Sequence, residues 1–229
     1  MKKTTLLMCL IALFTGYQAL SQITSYPYSE DFESGDGGWT ADNTNSGTWA
    51  LGTPASAVIN SAASGANSWV TNLTGNYNNG ESSFVNSPIF DLTSLTNPSI
   101  EFSVWWESEF SWDGTVLQSS IDGGATWQNV GAVGDPNNWY TDGTINGNPG
   151  GQQEGWTGRN GSGSNGWVTA RHALVGLAGQ SSVQFRIAFG SDGSVQDEGF
   201  AFDDVSIFDV TCPEPLNLTA TTTGDSTAD

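Results

Sequence analysis

From Ser99 to Glu107 the chain alternates without a break. Ile100, Phe102, Val104 and Trp106 fall on one side of an extended backbone and Glu101, Ser103, Trp105 and Glu107 on the other. A period of two sustained over such a run rules out an amphipathic helix and calls for a sheet with a buried face. Ser182 to Gly190 repeats the pattern, with Val183, Phe185, Ile187 and Phe189 opposed to Gln184, Arg186 and Ala188. Further short runs at Ser83 to Asp91, Thr115 to Ile121, Thr126 to Ala132, Gly166 to Leu174 and Gly199 to Phe208 are divided by Gly, Asn, Asp and Pro clusters. No stretch between Ser25 and Asp209 keeps a helical period. The expected class is all-β, with two antiparallel sheets packed as a sandwich whose inner faces supply the core.

Charge narrows the partners. The chain has 24 Asp and Glu against 5 Lys and Arg. Residues 1–21 carry Lys2, Lys3, the apolar stretch Leu6 to Phe14 and the small-residue end Ala19 to Ser21, the layout of a secretory signal peptide cleaved after Ser21. Without that leader the cations are Arg159, Arg171 and Arg186, and the net charge is 3 − 24, or −21. So acidic a surface repels phosphate backbones and anionic lipid, which excludes nucleic acid and peripheral membrane binding as expected partners, and no later segment approaches the roughly 20 apolar residues of a membrane span, so no membrane insertion is expected. The 26 aromatic residues (10 Trp, 5 Tyr, 11 Phe) supply the buried surface that a disordered acidic chain lacks. Cys9 would leave with the leader, so Cys212 alone would remain, with no intramolecular disulfide and no Cys-based zinc site.

Several landmarks follow one another between residues 28 and 208. Glu30-Asp31-Phe32-Glu33 comes first, with Trp39 and Trp49; then Ser83 to Leu92; then the strand ending at Glu107; then Trp167-Val168; and last Gly199-Phe200-Ala201-Phe202-Asp203-Asp204-Val205-Ser206-Ile207. The ordered set resembles a MAM-type, concanavalin-like jelly-roll domain of secreted bacterial multidomain proteins. Cys212 to Thr221 resembles the opening strand of a fibronectin type III domain. The resemblance implies a signal peptide at 1–21, a jelly-roll domain at 22–210, and at 211–229 a linker or the first strand of a truncated fibronectin type III domain. It implies a secreted or cell-surface protein whose neighbouring domains lie on the same polypeptide. Animal MAM domains carry paired cysteines and this sandwich has none, so their adhesive pairing does not transfer.

Four constellations bear on chemistry. In jelly rolls of this kind the first and last strands adjoin, which would gather Asp31, Glu33, Asp203 and Asp204. Carboxylates that close repel unless a cation sits among them, and calcium suits an all-oxygen set. The expected cofactor is a structural Ca²⁺. Ser120 to Trp127 matches the Asp-box pattern Ser-x-Asp-x-Gly-x-Thr-Trp, which physically is a tight hairpin; one copy builds no propeller. Glu107, Glu109 and Asp113 admit a glycoside hydrolase as the alternative reading, since alternate strand residues stand roughly 6.6 to 6.8 Å apart, within glycosidase separations. The triad Glu-x-Asp-x-x-Glu of jelly-roll hydrolases is absent. His172 is the one histidine, and no zinc-protease motif or nucleophile elbow accompanies it.

The aromatic residues complete the list. Trp112, Trp139, Tyr140 and Trp156 lie in or beside loops rich in Gly, Asn and Gln, and Trp105 faces away from the main core set. Exposed aromatic plates beside polar acceptors are how sugar sites are commonly built. The expected function is a non-catalytic binding or adhesion module. Its ligand surface would comprise Trp105, Glu107, Trp139, Tyr140, Trp156 and Arg186, and its partner would be a polysaccharide or a cell-surface protein. A spacer for a secreted peptidase is the other alternative.

Overall fold

The computed structural model describes residues 22–211. The expected leader at 1–21, Cys212 and the expected fibronectin-like strand lie outside those residues. In chain order the strands are β1 (Tyr28–Glu30), β2 (Thr40–Asn45), β3 (Ala50–Gly52), β4 (Ser68–Val70), β5 (Ser82–Phe90), β6 (Pro98–Glu107), β7 (Gly114–Ser120), β8 (Gln128–Asn129), β9 (Val168–Ala173), β10 (Val183–Gly190) and β11 (Gly199–Asp209). One 3-10 turn, Pro149–Gly151, interrupts the loop before β9.

All of these strand pairs are antiparallel and form two sheets. One runs β3-β4-β11-β6-β9 with β1 added to β11, and the other runs β2-β5-β10-β7-β8. The architecture is the expected all-β jelly-roll sandwich. The long alternating runs became the central strands because a strand flanked on both edges, with one face against the second sheet, needs an apolar residue at every second position. Phe102, Val104, Trp106, Phe200 and Phe202 of one sheet meet Val85, Leu117, Phe185, Ile187 and Phe189 of the other in one continuous core. Phe202 sits among Phe32, Trp39, Trp49 and Trp69, with ring centroids 5.5 to 6.3 Å away. A second, smaller cluster forms on the outer side of the six-stranded sheet from Ile59, Val70, Trp105 and Ala201.

Where the expected Thr126 to Ala132 strand should run, only Gln128–Asn129 pairs. Gly131 has φ +75°, and a Cβ there would overlap the Trp139 and His172 side chains, so the backbone turns away from the ladder to let those rings in.

Candidate functional site

Five of the six expected ligand residues are buried. Trp139, Tyr140 and Trp156 are 3, 3 and 0 % exposed. The segment carrying them links the edges of the two sheets: Trp156 pairs with Thr115 of β7, and the Asn137 carbonyl accepts the Arg171 amide of β9 at 3.2 Å. Between those ties the rings turn inward and plug the open side of the sandwich. Trp156 lies 5.1 Å from Trp139 and 5.5 Å from Phe200, centroid to centroid. Each polar tip finds an acceptor in the wall: Trp139 Nε1 donates to Val130 O at 2.9 Å, Tyr140 Oη to Leu117 O at 2.9 Å, and Trp156 Nε1 to Asn138 O at 2.8 Å. Rings so placed have no face left for a sugar, which corrects the reading of exposed plates. His172 belongs to the same plug, tilted against Trp139 with centroids 4.7 Å apart and joined to Asp135 at 2.9 Å.

Trp105 and Glu107 face out from the six-stranded sheet, but that face is covered. Trp167 packs edge-on against Trp105 at 5.8 Å, and the Glu107 carboxylate accepts the Asn160 amide at 2.7 Å, with burial pushing its pKa up. Arg186 is on β10, in the other sheet, so it shares no face with them. The expected single surface is therefore split between opposite sides of the sandwich.

The carboxylates of the hydrolase alternative are held by neighbours. Asp113 is wholly buried; it accepts Tyr77 Oη at 2.6 Å and the Asp192 amide at 2.7 Å, and burial raises its pKa to about 7. Glu109 pairs with Arg159 at 3.7 Å, and Arg159 also reaches Asp197 at 2.8 Å. Among the described residues Glu109, Asp113 and Asp192 form the one group of acids whose oxygens all lie within 4.8 Å of one another, a set able to hold a metal ion.

The acids expected to bind calcium are brought near the β1–β11 junction, where Glu30 pairs with Val205. They do not make one cage. Asp203 is buried, with its pKa raised by burial to about 6, and it accepts the amides of Ala63, Ser64 and Asp204. Glu33 accepts the amides of Ala66 and Asn67. Both side chains thus clasp the loop before β4. Asp204 sits at a bulge with φ +49°, takes the Ser64 hydroxyl at 2.6 Å, and lines an open depression with Ser29, Glu30, Asp31 and Ser34. An all-oxygen lining of that kind suits a hard cation by donor type.

Phe110 and Trp112, between β6 and β7, are the exposed aromatic residues, and two further rings, Phe84 and Trp127, stay half-buried at the outer face of the five-stranded sheet. Across it Thr40, Asn86, Arg186, Gln118 and Asn129 stand in register on five adjacent strands. The Arg186 guanidinium carbon lies 4.9 Å from the Phe84 centroid and 4.3 Å from that of Trp127, and all three side chains are half-buried. Trp127 is delivered by the Asp-box hairpin. There Asp122 accepts the Ser120 hydroxyl and both the amide and hydroxyl of Thr126, which draws its pKa down to about 2, and Gly123 and Gly124 take φ of +72° and +86°. Sequence reasoning found Arg186 and the hairpin but missed Phe84 and the role of Trp127. The available signal was strand parity, since Phe84 and Asn86 oppose the core residues Ser83 and Val85.

No family model matches the chain. It is 28% identical over 182 residues to bacillopeptidase F of Bacillus subtilis (strain 168), a match covering 80% of this chain and 11% of that protein. The chain therefore spans far less than two thirds of that relative. Among solved structures, the K1 cleaved adhesin domain of Lys-gingipain from Porphyromonas gingivalis W83 is 14% identical, with 81% of this chain and 99% of that one covered at a TM-score of 0.48. A carbohydrate-binding module in complex with β-1,4-galactotriose is 12% identical, with 79% and 94% covered at a TM-score of 0.45.

Proposed function

We propose that this chain is a non-catalytic module that binds a polysaccharide on the outer face of its five-stranded sheet. The observation that carries the reading is the half-buried pair Phe84, on β5, and Trp127, on the Asp-box hairpin, both set beside Arg186, with Asn86 next to them making no side-chain hydrogen bond among the described residues. Two aromatic rings with polar groups between them offer apolar stacking and directed hydrogen bonds together, as sugar recognition requires.

The remaining parts of the reading are a secreted or surface location, a MAM-like ancestry and neighbouring domains, one of them of fibronectin type III type. The match to only 11% of a peptidase supports a module set beside other units. Calcium at the β1–β11 junction belongs to the same proposal.

Affinity electrophoresis through gels containing single polysaccharides, neutral and acidic, tests it. The wild type is expected to be retarded by at least one polymer and to release no reducing ends from it. Trp127→Ala should weaken that binding at least tenfold, about 1.4 kcal/mol, while its melting temperature stays within a few degrees. Retardation by no polymer, or full affinity in Trp127→Ala, would overturn the proposal.

A further inference from the structure

Among the described residues Arg186, like Arg171, has no acid partner, and of the two it is the one whose guanidinium is fixed by hydrogen bonds. The protein has 24 acidic residues and each of its few cations is valuable, yet among the described residues no carboxylate comes within ion-pair distance of Arg186. Arg159, by contrast, holds two. Desolvating a guanidinium without a counter-charge is costly, and burial alone lowers its pKa to about 10.

What holds it is neutral. Nε donates to Gln118 Oε1 at 2.8 Å and Nη2 to the Gly150 carbonyl at 3.4 Å, while the two aromatic rings flank the cation. The partners fix the orientation and leave the charge unneutralised. Gln118 is itself fixed, its amide nitrogen bonded to Asn129 Oδ1 at 3.0 Å and Gly150 O at 3.2 Å. Of the five N–H donors of a guanidinium, both on Nη1 and the second on Nη2 have no partner among the described residues. The acids around this face are Asp42, opposite Phe84 on β2, Asp122 on the hairpin that carries Trp127, and Glu154, against Asn129, and none of them is paired with Arg186.

A positioned, half-buried guanidinium with no acid partner, 4.9 and 4.3 Å from the Phe84 and Trp127 ring centroids, fits an oxyanion carried on a sugar ring. The planar fork matches a carboxylate with two parallel hydrogen bonds, while the rings take the apolar face of the same residue. We infer that the face around Arg186 selects acidic polysaccharides, with the carboxylate of a uronic acid unit seated on the Nη1 side of Arg186. This rests on the binding reading above and adds its ligand class. The acidity of the rest of the molecule opposes a polyanion, so the preference depends on the Arg186 contact itself and should grow with salt that screens the general repulsion.

The test compares polygalacturonate, a neutral galactan and a sulfated galactan by affinity electrophoresis and calorimetry on the full chain. Polygalacturonate should bind at least tenfold tighter than the galactan, and monomeric galacturonate should compete where galactose does not. Arg186→Gln should abolish the preference, and Arg186→Lys, which keeps the charge without the fork, should lose most of it. The wild-type competition needs no variant, so a misfolded mutant cannot hide the answer. Binding of the neutral galactan without that preference would overturn the inference and leave the binding module standing. Preference for the sulfated polymer alone would move the oxyanion from carboxylate to sulfate ester and overturn the uronic acid assignment. Binding of nothing would remove both readings.

Discussion

Among the described residues five carboxylates, Glu81, Glu107, Asp113, Glu198 and Asp203, are buried, and none of them forms an ion pair there. With so few cations, the chain stabilises its interior acids with backbone amides. Glu198 is the fullest case: its two oxygens accept the amides of Ala57, Val58 and Ile59 at 2.6 to 2.9 Å, some 140 residues away in sequence. Glu81 does the same for Thr48 and Asn78. Hydrogen bonds to a charged acceptor are the strong kind, and removing the acceptor leaves several donors without a partner. Glu198→Ala should therefore cost about 3 kcal/mol, the penalty of buried amides left without their acceptor, lowering the melting temperature by roughly 10 °C at the usual 2–4 °C per kcal/mol for a domain of this size. Glu198→Gln should recover part of it. A loss below about 1 kcal/mol in the alanine variant would show that the loop holds without the carboxylate. None of this was legible from the residues themselves, because an acid that will bind distant amides looks the same in sequence as one bound for solvent.

At the scale of elements, legibility followed strand length and centrality. β6, β10 and β11 could be read because each packs a full face against the other sheet and so needs unbroken alternation. β2, Thr-Ala-Asp-Asn-Thr-Asn, is an exposed edge, while β3 and β4 are three residues each, too short for a period to show. The candidate site was misread for a related reason. The sequence shows that Trp139 and Trp156 lie in a Gly- and Asn-rich loop, but only the gap between β7 and β9 decides that the loop folds inward. Arg186 was found because strand parity fixed its side of the sheet. The junction of β1, β11 and the loop of residues 63–67 carries the calcium expectation. Ligand binding to the folded state alone raises apparent stability by about 2.7 kcal/mol at a hundredfold excess over the dissociation constant. Chelator should therefore lower the melting temperature by roughly 5–10 °C, calcium should restore it, and Asp204→Asn should remove the response. Identical melts with and without chelator would assign the stability of this junction to its amide contacts alone.

The whole molecule is strongly anionic, and its buried acids make stability depend on pH in a direction that can be worked out. Burial raises the folded-state pKa of Asp113 to about 7 and of Asp203 to about 6, against 3.8 for an ordinary Asp. A carboxyl whose pKa is raised on folding binds its proton more tightly in the native state. Its contribution is fully present below the unfolded value and is lost as pH climbs through 6 and 7. Asp42, Asp91, Asp142 and Asp209 work the other way: hydroxyl and amide donors lower their pKa values, so acid below the ordinary range removes what they add. The two sets place maximal stability at mildly acidic pH. In chelator, so that no metal competes for the carboxylates, the melting temperature should rise between pH 8 and pH 5 by roughly 5 °C, each pKa unit being worth at most about 1.4 kcal/mol. General repulsion within a chain of net charge −19 acts in the same direction, and salt separates the two causes. Half-molar salt screens exposed charges and leaves buried ones largely unscreened. If the buried acids carry the effect, the rise should persist in high salt and be flattened by Asp113→Asn. A rise that vanished in salt and survived in Asp113→Asn would assign it to the surface charge of the whole molecule.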